Sequence, residues 1–578
     1  MSNKELVAVE LYNKEDFENY NFREKLKKAQ RPYDYFKEIE TLDFDDLTSS
    51  DRFFLQDFGI YNNELEEEDF TLRLRFPAGR ISNKQLSDLS IIINKYKVDM
   101  VITARAGVQL HGFDSENILD GFKDITKTGI NTWQSFGDNI RNITTDIFDG
   151  IGINNVIEVY PYMKEMQEFI LKNPEYVGLL PRRLSIGICG SSASTSSFFA
   201  SDIYFSLSKK DNIYGFNVYL GGKNTEIAKC ANIFLHKEEL VDFYKALVKT
   251  FNKYGYRLDR ERNRLFHLLE DIGIEKFKIY LKEFYPKSFV SKGDALLEKI
   301  ETEDFYELKN KKYAFCYHSM FARIDSKELS IISKYVSENN LELRFGTDQQ
   351  IYIINLLEKN INLEHQNDNR TIVACAGSEF CPYSYWSIKD EVNYLPLKRI
   401  QKNKILIGFS GCLRGCAKHE HADIGLVGLK VDYLGHRVKT ARIYLGALYT
   451  NGECLARKVF NKIPLDVLHD ILDLILEEYE NSKYNSFEEF SFNVLNKYSI
   501  EFLNFWFLAK FNTKKEVFLN SFNEKDLINK SFKNENFIVD LEDNYKKEIE
   551  ILSQSLWKYT QTLEDKKLNK TYIMDHNG

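Results

Sequence analysis

Four cysteines in two close pairs are the residues of this chain best suited to hold a metal cluster. The first pair, Cys375 and Cys381, lies in ACAGSEFC, and the second, Cys412 and Cys416, lies in SGCLRGC. An iron–sulfur cubane needs four thiolates that converge on one small volume, and two short loops supply them well. Zinc ribbons usually repeat a C-x2-C spacing and redox dithiols show C-x-x-C, whereas these pairs are C-x5-C and C-x3-C. The spacing therefore predicts an iron–sulfur cluster, with four incidental core thiols as the alternative.

Each pair follows an apolar run, TIVAC or ILIGFSGC, which is typical of a strand that ends in a glycine-containing turn. This pattern predicts that the thiols lie on loops held by a buried sheet. The remaining cysteines lack paired spacing, and we interpret them as small buried residues: Cys189, Cys230, Cys316 and Cys454.

The composition is that of a large chain that can bury several cores. Its 578 residues are 43% hydrophobic, which favours two or three structural units. The first twenty residues are polar and charged, and no apolar run approaches the length of a transmembrane helix. Eight cysteines in so long a chain do not make a disulfide framework, and the net charge of −8 does not point to nucleic acid. We therefore expect a cytoplasmic protein without a nucleic-acid or membrane partner.

An internal repeat organises the chain. The segment from Phe70 to Phe113 has a counterpart that begins at Ala314, with Arg80-Ile81 aligned to Arg323-Ile324. Each copy predicts a strand, then a helix that begins after Ser or Asp, and then two short strands around a turn.

A second pair of repeats follows the first pair. The segment from Asp202 resembles the segment from Asp423, and both contain Tyr-Leu-Gly. The body of the chain thus reads as one two-part unit used twice, related by a pseudo-twofold axis, and such folds often place a cofactor between their halves. The alternative is a mere similarity of α+β patterns.

Further motifs occur in a fixed order along the chain: LRLRFPAG at 72–79, ITARAGVQLHG at 102–112, GDNIRN at 137–142, LPRR at 180–183 and GFNVYLGG at 215–222. Together with the cysteine pairs, this set resembles the nitrite and sulfite reductases, which carry sirohaem coupled to a [4Fe-4S] cluster. The resemblance covers roughly residues 40 to 500. It implies an α+β fold with internally duplicated ferredoxin-like half-domains and two α/β domains that bind sirohaem and the cluster.

The resemblance also implies a division into domains: an N-terminal arm (1–62), a first ferredoxin-like half-domain (63–150), a first sirohaem-binding domain (151–310), a second half-domain (311–365), a second domain for sirohaem and the cluster (366–500) and a C-terminal helical extension (501–578). The extension lies beyond the resemblance. It could pack on the core or bind a partner.

In the reductases that the chain resembles, the last cysteine bridges the cluster and the sirohaem iron. The matching residue is Cys416, and Cys375, Cys381 and Cys412 would hold the other cluster irons. The loop between the second pair departs from the family pattern, because Leu413 and Arg414 replace Pro and Asn. The added charge could tune the potential of the cluster.

The family positions that hold the substrate anion match Arg73, Arg141, Arg183 and Ser185. Nitrite and sulfite are small oxyanions that lose oxygen as water, so their site needs cations and a supply of protons. Arginine holds an oxyanion well but is a poor proton donor, so water or a sirohaem carboxylate would relay protons. The family usually has lysine at the position of Arg183, and sulfite reductases usually have a second lysine at that of Ser185.

Sirohaem carries eight carboxylates, so the resemblance implies a polar and basic bed for it. The matching positions are Thr103, Arg105, Gln109, His111, Arg182, Asn217, Gly221 and Gln349. His111 could instead be a core histidine and Gln349 a turn residue.

Details of the motifs favour the nitrite branch, since VACAGSEFC, GDNIRN and HADIGLVG are similar to its patterns. The expected activity is the assimilatory six-electron reduction of nitrite to ammonia. Sulfite reduction to sulfide is the first alternative, and a cluster-bearing redox protein without catalysis is the second.

The electrons are expected from a separate carrier, ferredoxin or flavodoxin. The chain shows no flavin or nicotinamide domain, because LGGK lacks the strand–G-x-G-x-x-G–helix context. The basic run LPLKRIQKNK at 395–404 is either a docking patch for an acidic carrier or a solvated loop.

Overall fold

The computed structural model describes residues 20–63, 66–319, 321–363, 371–433 and 436–515. The chain divides into two compact units, with the boundary between Arg370 and Thr371. None of the described helices is long and apolar enough to cross a membrane.

The first unit contains eighteen described strands. They are β1 Ile60–Asn63, β2 Glu66–Leu74, β3 Arg80–Ile81, β4 Asp99–Ile102, β5 Val108–Phe113, β6 Ile140–Thr145, β7 Leu184–Cys189, β8 Ala193–Ser194, β9 Ile203–Lys210, β10 Ile213–Leu220, β11 Lys229–His236, β12 Asp294–Ala295, β13 Glu298–Lys299, β14 Phe305–Glu307, β15 Tyr313–Tyr317, β16 Arg323–Ile324, β17 Glu342–Phe345 and β18 Ile351–Leu356.

The α-helices described in this unit are α1 Phe22–Ala29, α2 Pro32–Tyr35, α3 Ser49–Leu55, α4 Asn83–Tyr96, α5 Ile118–Lys127, α6 Tyr160–Ile170, α7 Leu240–Tyr254, α8 Leu265–Ile272, α9 Ile274–Leu281 and α10 Ser326–Glu338.

Two five-stranded sheets form from the first pair of repeats, and they exchange a strand. Their orders are β1-β2-β5-β4-β16 and β14-β15-β18-β17-β3. The short strand β3 of the first copy pairs with β17 of the second, and β16 of the second pairs with β4 of the first. The aligned Arg-Ile dipeptides are therefore the exchanged strands, so each copy completes the other's sheet.

The two repeat helices begin as the sequence predicts. Ser82 accepts a hydrogen bond from Gln85 N, and Gln85 closes a capping box. Asp325 caps α10 by accepting from Glu328 N at 2.8 Å. The helices lie side by side, and Ser90 Oγ is 3.0 Å from Ser330 Oγ.

The third large sheet of the first unit has the order β11-β10-β9-β7-β6, with β12 paired to β9. Strands β6, β7 and β9 are parallel, whereas β9, β10 and β11 are antiparallel. Helix α7 covers this core with buried residues three or four apart, among them Leu240, Phe243, Leu247 and Phe251.

The second unit has one described sheet, formed by β19 Ile372–Ala374, β20 Ile407–Ser410, β21 Ile424–Tyr433, β22 His436–Leu445 and β23 Arg457–Pro464. Its described α-helices are α11 Ile388–Glu391, α12 Leu397–Lys402, α13 Leu465–Glu480, α14 Phe487–Asn493 and α15 Ile500–Lys515. Strands β19, β20 and β21 are parallel, and β21, β22 and β23 are antiparallel.

This pattern repeats that of β6, β7, β9, β10 and β11 in the first unit. The hairpins that follow Asp202 and Asp423 also close alike, with Leu220 opposite Ile203 and Leu445 opposite Ile424. The α+β class with a duplicated architecture, predicted from the sequence, is therefore confirmed.

The two ends of the chain are described only in part. Within the predicted arm, Asn21 Nδ2 donates to Leu258 O and Lys27 Nζ donates to Leu180 O. Within the predicted extension, α15 packs on β23 through the bond from Asn504 Nδ2 to Val459 O, 2.9 Å long, and residues 516–578 lie outside the described residues. The finer domain boundaries stay predictions.

Candidate functional site

The paired cysteines follow two adjacent parallel strands of the second unit. Cys375 comes directly after β19, and Cys412 comes two residues after β20. Because the carboxyl ends of parallel neighbours meet at one edge of a sheet, both loops begin at the same edge. Cys375 N donates to Phe409 O at 3.0 Å, so the first loop stays attached to β20.

The four thiols lie close enough to interact electrostatically. Burial, followed by Cys416, raises the pKa of Cys375 to about 12. Burial is also the largest cause that raises the pKa values of Cys381 and Cys412, and Cys416 adds to both. Thiols in such surroundings are protonated near neutral pH, and a bound metal must displace those protons.

The donor set fits a cluster better than a single ion. Among the described residues, no three His, Cys, Asp or Glu side chains are close enough to hold one metal ion. A cubane spaces its four thiolates more widely and takes N–H···S hydrogen bonds. Cys375 Sγ accepts from Gly411 N at 3.1 Å and from Gly377 N at 3.4 Å. This edge of the sheet would therefore supply all four sulfur ligands of the predicted [4Fe-4S] cluster.

Close packing between the loops requires glycine at position 411. A Cβ there would lie 1.8 Å from Ser384 Oγ and 3.3 Å from Cys375 Sγ. Tyr385 N donates to Gly411 O at 2.9 Å, and the ring of the buried Trp386 packs against that of Phe409 at a tilt of 52°, with centroids 5.2 Å apart. The loops are therefore held in place by the sheet from which they start and by direct contact with each other.

The loop tips differ in exposure. Cys416 is exposed, whereas the other three paired cysteines are partly buried. Leu413 is 56% exposed, and the guanidinium carbon of Arg414 lies 3.6 Å from the centroid of the Tyr383 ring. The charge of Arg414 acts to lower the pKa values of Cys381 and Cys412, against the larger effect of burial.

In the first unit, arginines converge around the GDNIRN loop. Arg141, the second residue of β6, donates to Ser135 O and to Gly137 O, the latter at 3.0 Å. Arg73 on β2 donates to Ser135 O at 3.4 Å, and its guanidinium carbon lies 3.8 Å from the centroid of the Phe136 ring. Two strands of different sheets thus bring two cations to one short loop.

These cations destabilise one another. Burial, then Arg73, Arg183, Arg105 and Arg182, lowers the pKa of Arg141 well below its ordinary value. The pKa of Arg183 is lowered well below its ordinary value by burial and then by Arg264, Arg105 and Arg182. Charges held this close favour the binding of an anion, which would remove part of the repulsion.

Two of these arginines keep unused hydrogen-bonding capacity. Arg141 Nε is buried without a hydrogen-bond partner among the described residues. The guanidinium of Arg183 forms neither a hydrogen bond nor an ion pair with any residue that the structure describes. Such donors are the ones that a bound oxyanion can use.

Ser185 is held by a carboxylate. Its hydroxyl donates to Asp202 Oδ2 at 2.6 Å, its backbone N–H donates to the same oxygen at 2.7 Å, and Ser185 Oγ accepts from Asp202 N. Arg264 binds Asp202 Oδ1 through Nε and Nη2, at 3.0 and 2.7 Å. The hydroxyl is thereby committed to a contact within the protein, and any effect of Ser185 on an anion acts through this group of residues.

The other residues predicted to line the sirohaem site form hydrogen bonds within the protein or lie buried in it. Thr103 and Gln349 bond to backbone, since Thr103 Oγ1 accepts from Gly107 N at 3.2 Å and Gln349 Nε2 donates to Ile102 O at 3.0 Å. His111 is buried with Nδ1 3.0 Å from Thr71 Oγ1, and burial, Arg73 and Arg323 lower the pKa of His111 to about 3.

Asn217 and Gly221 belong to β10 and its end. The amide of Asn217 exchanges two hydrogen bonds with the backbone of Gly293, at 2.8 and 2.9 Å. Gly221 has a φ of +85°, and its N–H donates to Asp202 O at 2.8 Å. Gln109 on β5 is partly buried opposite Arg73. The cofactor roles of all these residues stay predictions.

Two family models match the first unit. Residues 63–127 match the nitrite/sulfite reductase ferredoxin-like half domain, and residues 136–289 match the nitrite and sulphite reductase 4Fe-4S domain. These two domain matches and the relatives below support the nitrite and sulfite reductase family for this chain. The resemblance inferred from the ordered motifs is thereby confirmed. The paired cysteines lie outside both matched ranges, so their ligation of the cluster stays a prediction.

Relatives within the family carry both substrate names. A ferredoxin–nitrite reductase of Leptolyngbya laminosa is 26% identical over 73% of this chain and 88% of its own length. A sulfite reductase [ferredoxin] 2 of Mycolicibacterium paratuberculosis is 24% identical over 80% of this chain and 92% of its own. The structure of the Mycobacterium tuberculosis NirA protein matches with a TM-score of 0.75, 22% identity and coverage of 82% and 96%, which supports the fold.

Sequence reasoning missed the buried acids that anchor the family's arginine loops. Asp138, within GDNIRN, is fully buried and binds Arg260 through both oxygens at 2.7 Å, Lys27 at 2.8 Å and Arg182 at 3.6 Å. Arg260 and Arg264 both come from RLDRERNR at 257–264. The many arginines in this segment were the feature of the sequence that could have pointed to buried carboxylate partners.

Two further expectations need correction or qualification in this member of the family. Cys189 and Cys316 are buried as predicted, but Cys230 and Cys454 are only partly buried, so the prediction was wrong for these two. In the basic run at 395–404, Arg399 binds Asp473 Oδ1 at 2.6 Å and Glu480 Oε2 at 3.0 Å. The charge of Arg399 is therefore neutralised within the second unit, and this weakens the case that the run binds an acidic carrier.

Proposed function

We propose that the protein reduces nitrite to ammonium with six electrons from an external carrier, using sirohaem coupled to a [4Fe-4S] cluster. The observation that carries the proposal is the arginine pocket of the first unit, formed by Arg73, Arg105, Arg141, Arg182, Arg183 and Arg264. The carboxyl groups that oppose these charges include Asp138, Asp202 and Asp57. A pocket with this excess of positive charge fits a polyanionic cofactor and a small anionic substrate.

The residues present fit sirohaem. Its carboxylates would be held by Arg105 and Arg182, with Gln109 as a neutral donor. Burial lowers the pKa of Arg182 to about 10, and this pKa shift shows that its charge is poorly solvated before an anion binds. When bound, sirohaem supplies the iron centre at which the oxygens of the anion are removed.

Arg73, Arg141 and Arg183 would hold the substrate. The Arg141 guanidinium is fixed by the carbonyls of Ser135 and Gly137, so it is oriented before the anion arrives. A guanidinium does not give up its proton readily, so these residues bind and orient while water delivers protons. His111 stays neutral above its lowered pKa of about 3 and adds no charge to the pocket.

Nitrite is the substrate that the charges around Ser185 favour. A lysine stands here in the sulfite reductases that the chain resembles, whereas this chain has a neutral hydroxyl bonded to the Asp202 carboxylate. Arg264 neutralises Asp202, so the difference lies in the missing lysine. One positive charge fewer weakens the binding of dianionic sulfite more than that of monoanionic nitrite. Reduction of sulfite to sulfide is the second candidate, and the sulfite reductase names of relatives at 24% identity favour it.

Ferredoxin or flavodoxin would donate the electrons. The matched nitrite and sulfite reductases are named for ferredoxin. A cluster-bearing redox protein without catalysis would need the four cysteines but not the arginine pocket, so the pocket favours the enzyme.

The test begins with purified protein. Iron, acid-labile sulfide and the absorption spectrum are measured first, then the protein is reduced with a low-potential dye and nitrite is added. The proposal predicts a haem spectrum that changes with nitrite, and ammonium as the product. A haem spectrum unchanged by nitrite and by sulfite, with no turnover of either anion, would overturn it.

A further inference from the structure

Arg414 is the residue of the cysteine loops whose chemistry the proposed reaction leaves unexplained. It lies midway between Cys412 and Cys416. A charged residue beside a metal centre changes the energy of every charge that the centre gains or loses.

The position of Arg414 is fixed by the opposite loop. Its guanidinium carbon lies 3.6 Å from the centroid of the Tyr383 ring, and Tyr383 comes two residues after Cys381. A planar guanidinium stacks on an aromatic face more favourably than an ammonium group does. Arg414 and Tyr383 are both exposed, so this contact fixes the position of the guanidinium beside the opposite loop while its charge still faces solvent.

The same charge reaches thiols of both loops. Arg414 acts electrostatically on Cys381 and on Cys412, and its backbone N–H also bonds to Cys412. With Gly377 N and Gly411 N bonded to Cys375, donors and a cation surround three of the four sulfurs.

We propose that Arg414, which stacks on the Tyr383 ring, raises the reduction potential of the [4Fe-4S] cluster by stabilising its reduced form. This inference rests on the proposed cluster ligation. When the cluster gains one electron from a carrier, its negative charge increases by one, and a fixed positive charge nearby makes that step more favourable. The low-potential donor then delivers electrons with a larger driving force.

The test is a redox titration of the cluster, followed by electron paramagnetic resonance on the complete protein. Arg414→Gln should shift the midpoint potential to a more negative value, while iron and acid-labile sulfide stay at the wild-type level. Arg414→Lys keeps the charge and should retain most of the wild-type potential. Tyr383→Leu releases the guanidinium and should give a shift in the same direction as Arg414→Gln, but a smaller one.

Lys418→Gln is the matched control, since it removes a positive charge from the same loop, whereas the cation that acts on Cys412 is Arg414. Its shift should be the smallest of the series. A wild-type potential in Arg414→Gln with an intact cluster would overturn the inference and leave the proposed function standing. Absence of cluster from the wild-type protein would instead overturn the proposed function.

Discussion

The parallel strands β6-β7-β9 of the first unit and β19-β20-β21 of the second have the same arrangement, but the predicted functional residues lie at opposite ends of the strands. In the second unit, Cys375 comes directly after β19 and Cys412 two residues after β20. In the first unit, the corresponding positions after β6 and β7 are Asp146 and Ser191. Ser191 Oγ donates to Asp146 Oδ2 at 2.8 Å, so these two groups satisfy each other.

The first unit instead places its reactive residues where the strands begin. Arg141 is the second residue of β6, and Arg183 directly precedes β7. In the second unit, the loops that follow the strands carry the paired cysteines. In the first unit, the residues where the strands begin are arginines, and carboxylates from other segments oppose their charge. On the proposed function, the two copies of one sheet pattern divide cluster binding and anion binding between them.

The cysteine edge should give the largest effect. Cys412→Ser removes one of four thiolates, so we expect loss of nearly all cluster and of nearly all turnover. Cys230→Ser is the matched control, because Cys230 is unpaired in sequence and partly buried. Acid-labile sulfide and turnover measure both, and a serine variant at position 412 with a full cluster would break the assignment.

The anchor of the arginine loop should give the next largest effect. Asp138→Asn removes the buried carboxylate shared by Lys27, Arg260 and Arg182, and this should cost about 3–5 kcal/mol in free energy of unfolding. Lys27 keeps its bond to Glu24 in this variant. Urea unfolding gives the value. Asp34→Asn, which breaks an exposed pair with Arg31, should cost less than about 1 kcal/mol. Equal losses in the two variants would contradict the anchoring role.

The anion pocket itself is tested by Arg141→Ala. Loss of a preorganised donor beside the developing charge should lower kcat by about 10²–10³ while both cofactors remain bound. Arg262→Ala, which removes a half-exposed cation from the nearby arginine run, should change kcat less than about twofold. Wild-type turnover in Arg141→Ala would remove Arg141 from the mechanism.

The buried carboxyl group of Asp57, near the arginine pocket, should make the stability of the protein depend on pH. Burial, opposed by Asn139 and reinforced by Asp138, raises the pKa of Asp57 to about 7. The folded protein therefore keeps this proton up to that pH, whereas the unfolded chain releases it near the ordinary value of about 4. Stability conferred by the proton is present below about pH 4 and is lost as the pH rises towards 7.

Asp57→Asn should remove that loss, because the amide carries no titratable proton. The gain in free energy of unfolding should be small at pH 4 and grow to a few kcal/mol at pH 7. Unfolding midpoints across this range measure it, with Asp34→Asn as the exposed control. Parallel profiles for the variant and the wild type would contradict the shifted pKa.

Local pattern predicted one of the two regions much better than the other. The cysteine loops need only an apolar strand, a turn and a short spacing, all of which are contiguous in sequence. The arginine pocket depends on contacts between residues such as Asp138 and Arg260 that lie more than a hundred positions apart. The sequence aligned Arg80-Ile81 with Arg323-Ile324, but it could not show that the two copies exchange these strands.

Ser185 shows the same difference at one residue. Its type suggested a neutral donor to the substrate, while its bonds to Asp202 and the fork from Arg264 depend on three distant segments. We therefore expect any effect of Ser185 on substrate selectivity to depend on Asp202 and Arg264 as well.

The ratio of kcat/KM for nitrite to that for sulfite decides which of the two anions the protein reduces. Purified protein, a chemically reduced low-potential dye and quantified products are sufficient. We expect a strong preference for nitrite, with ammonium as the product. A preference for sulfite, with sulfide as the product, would show that the neutral Ser185 does not select against the dianion.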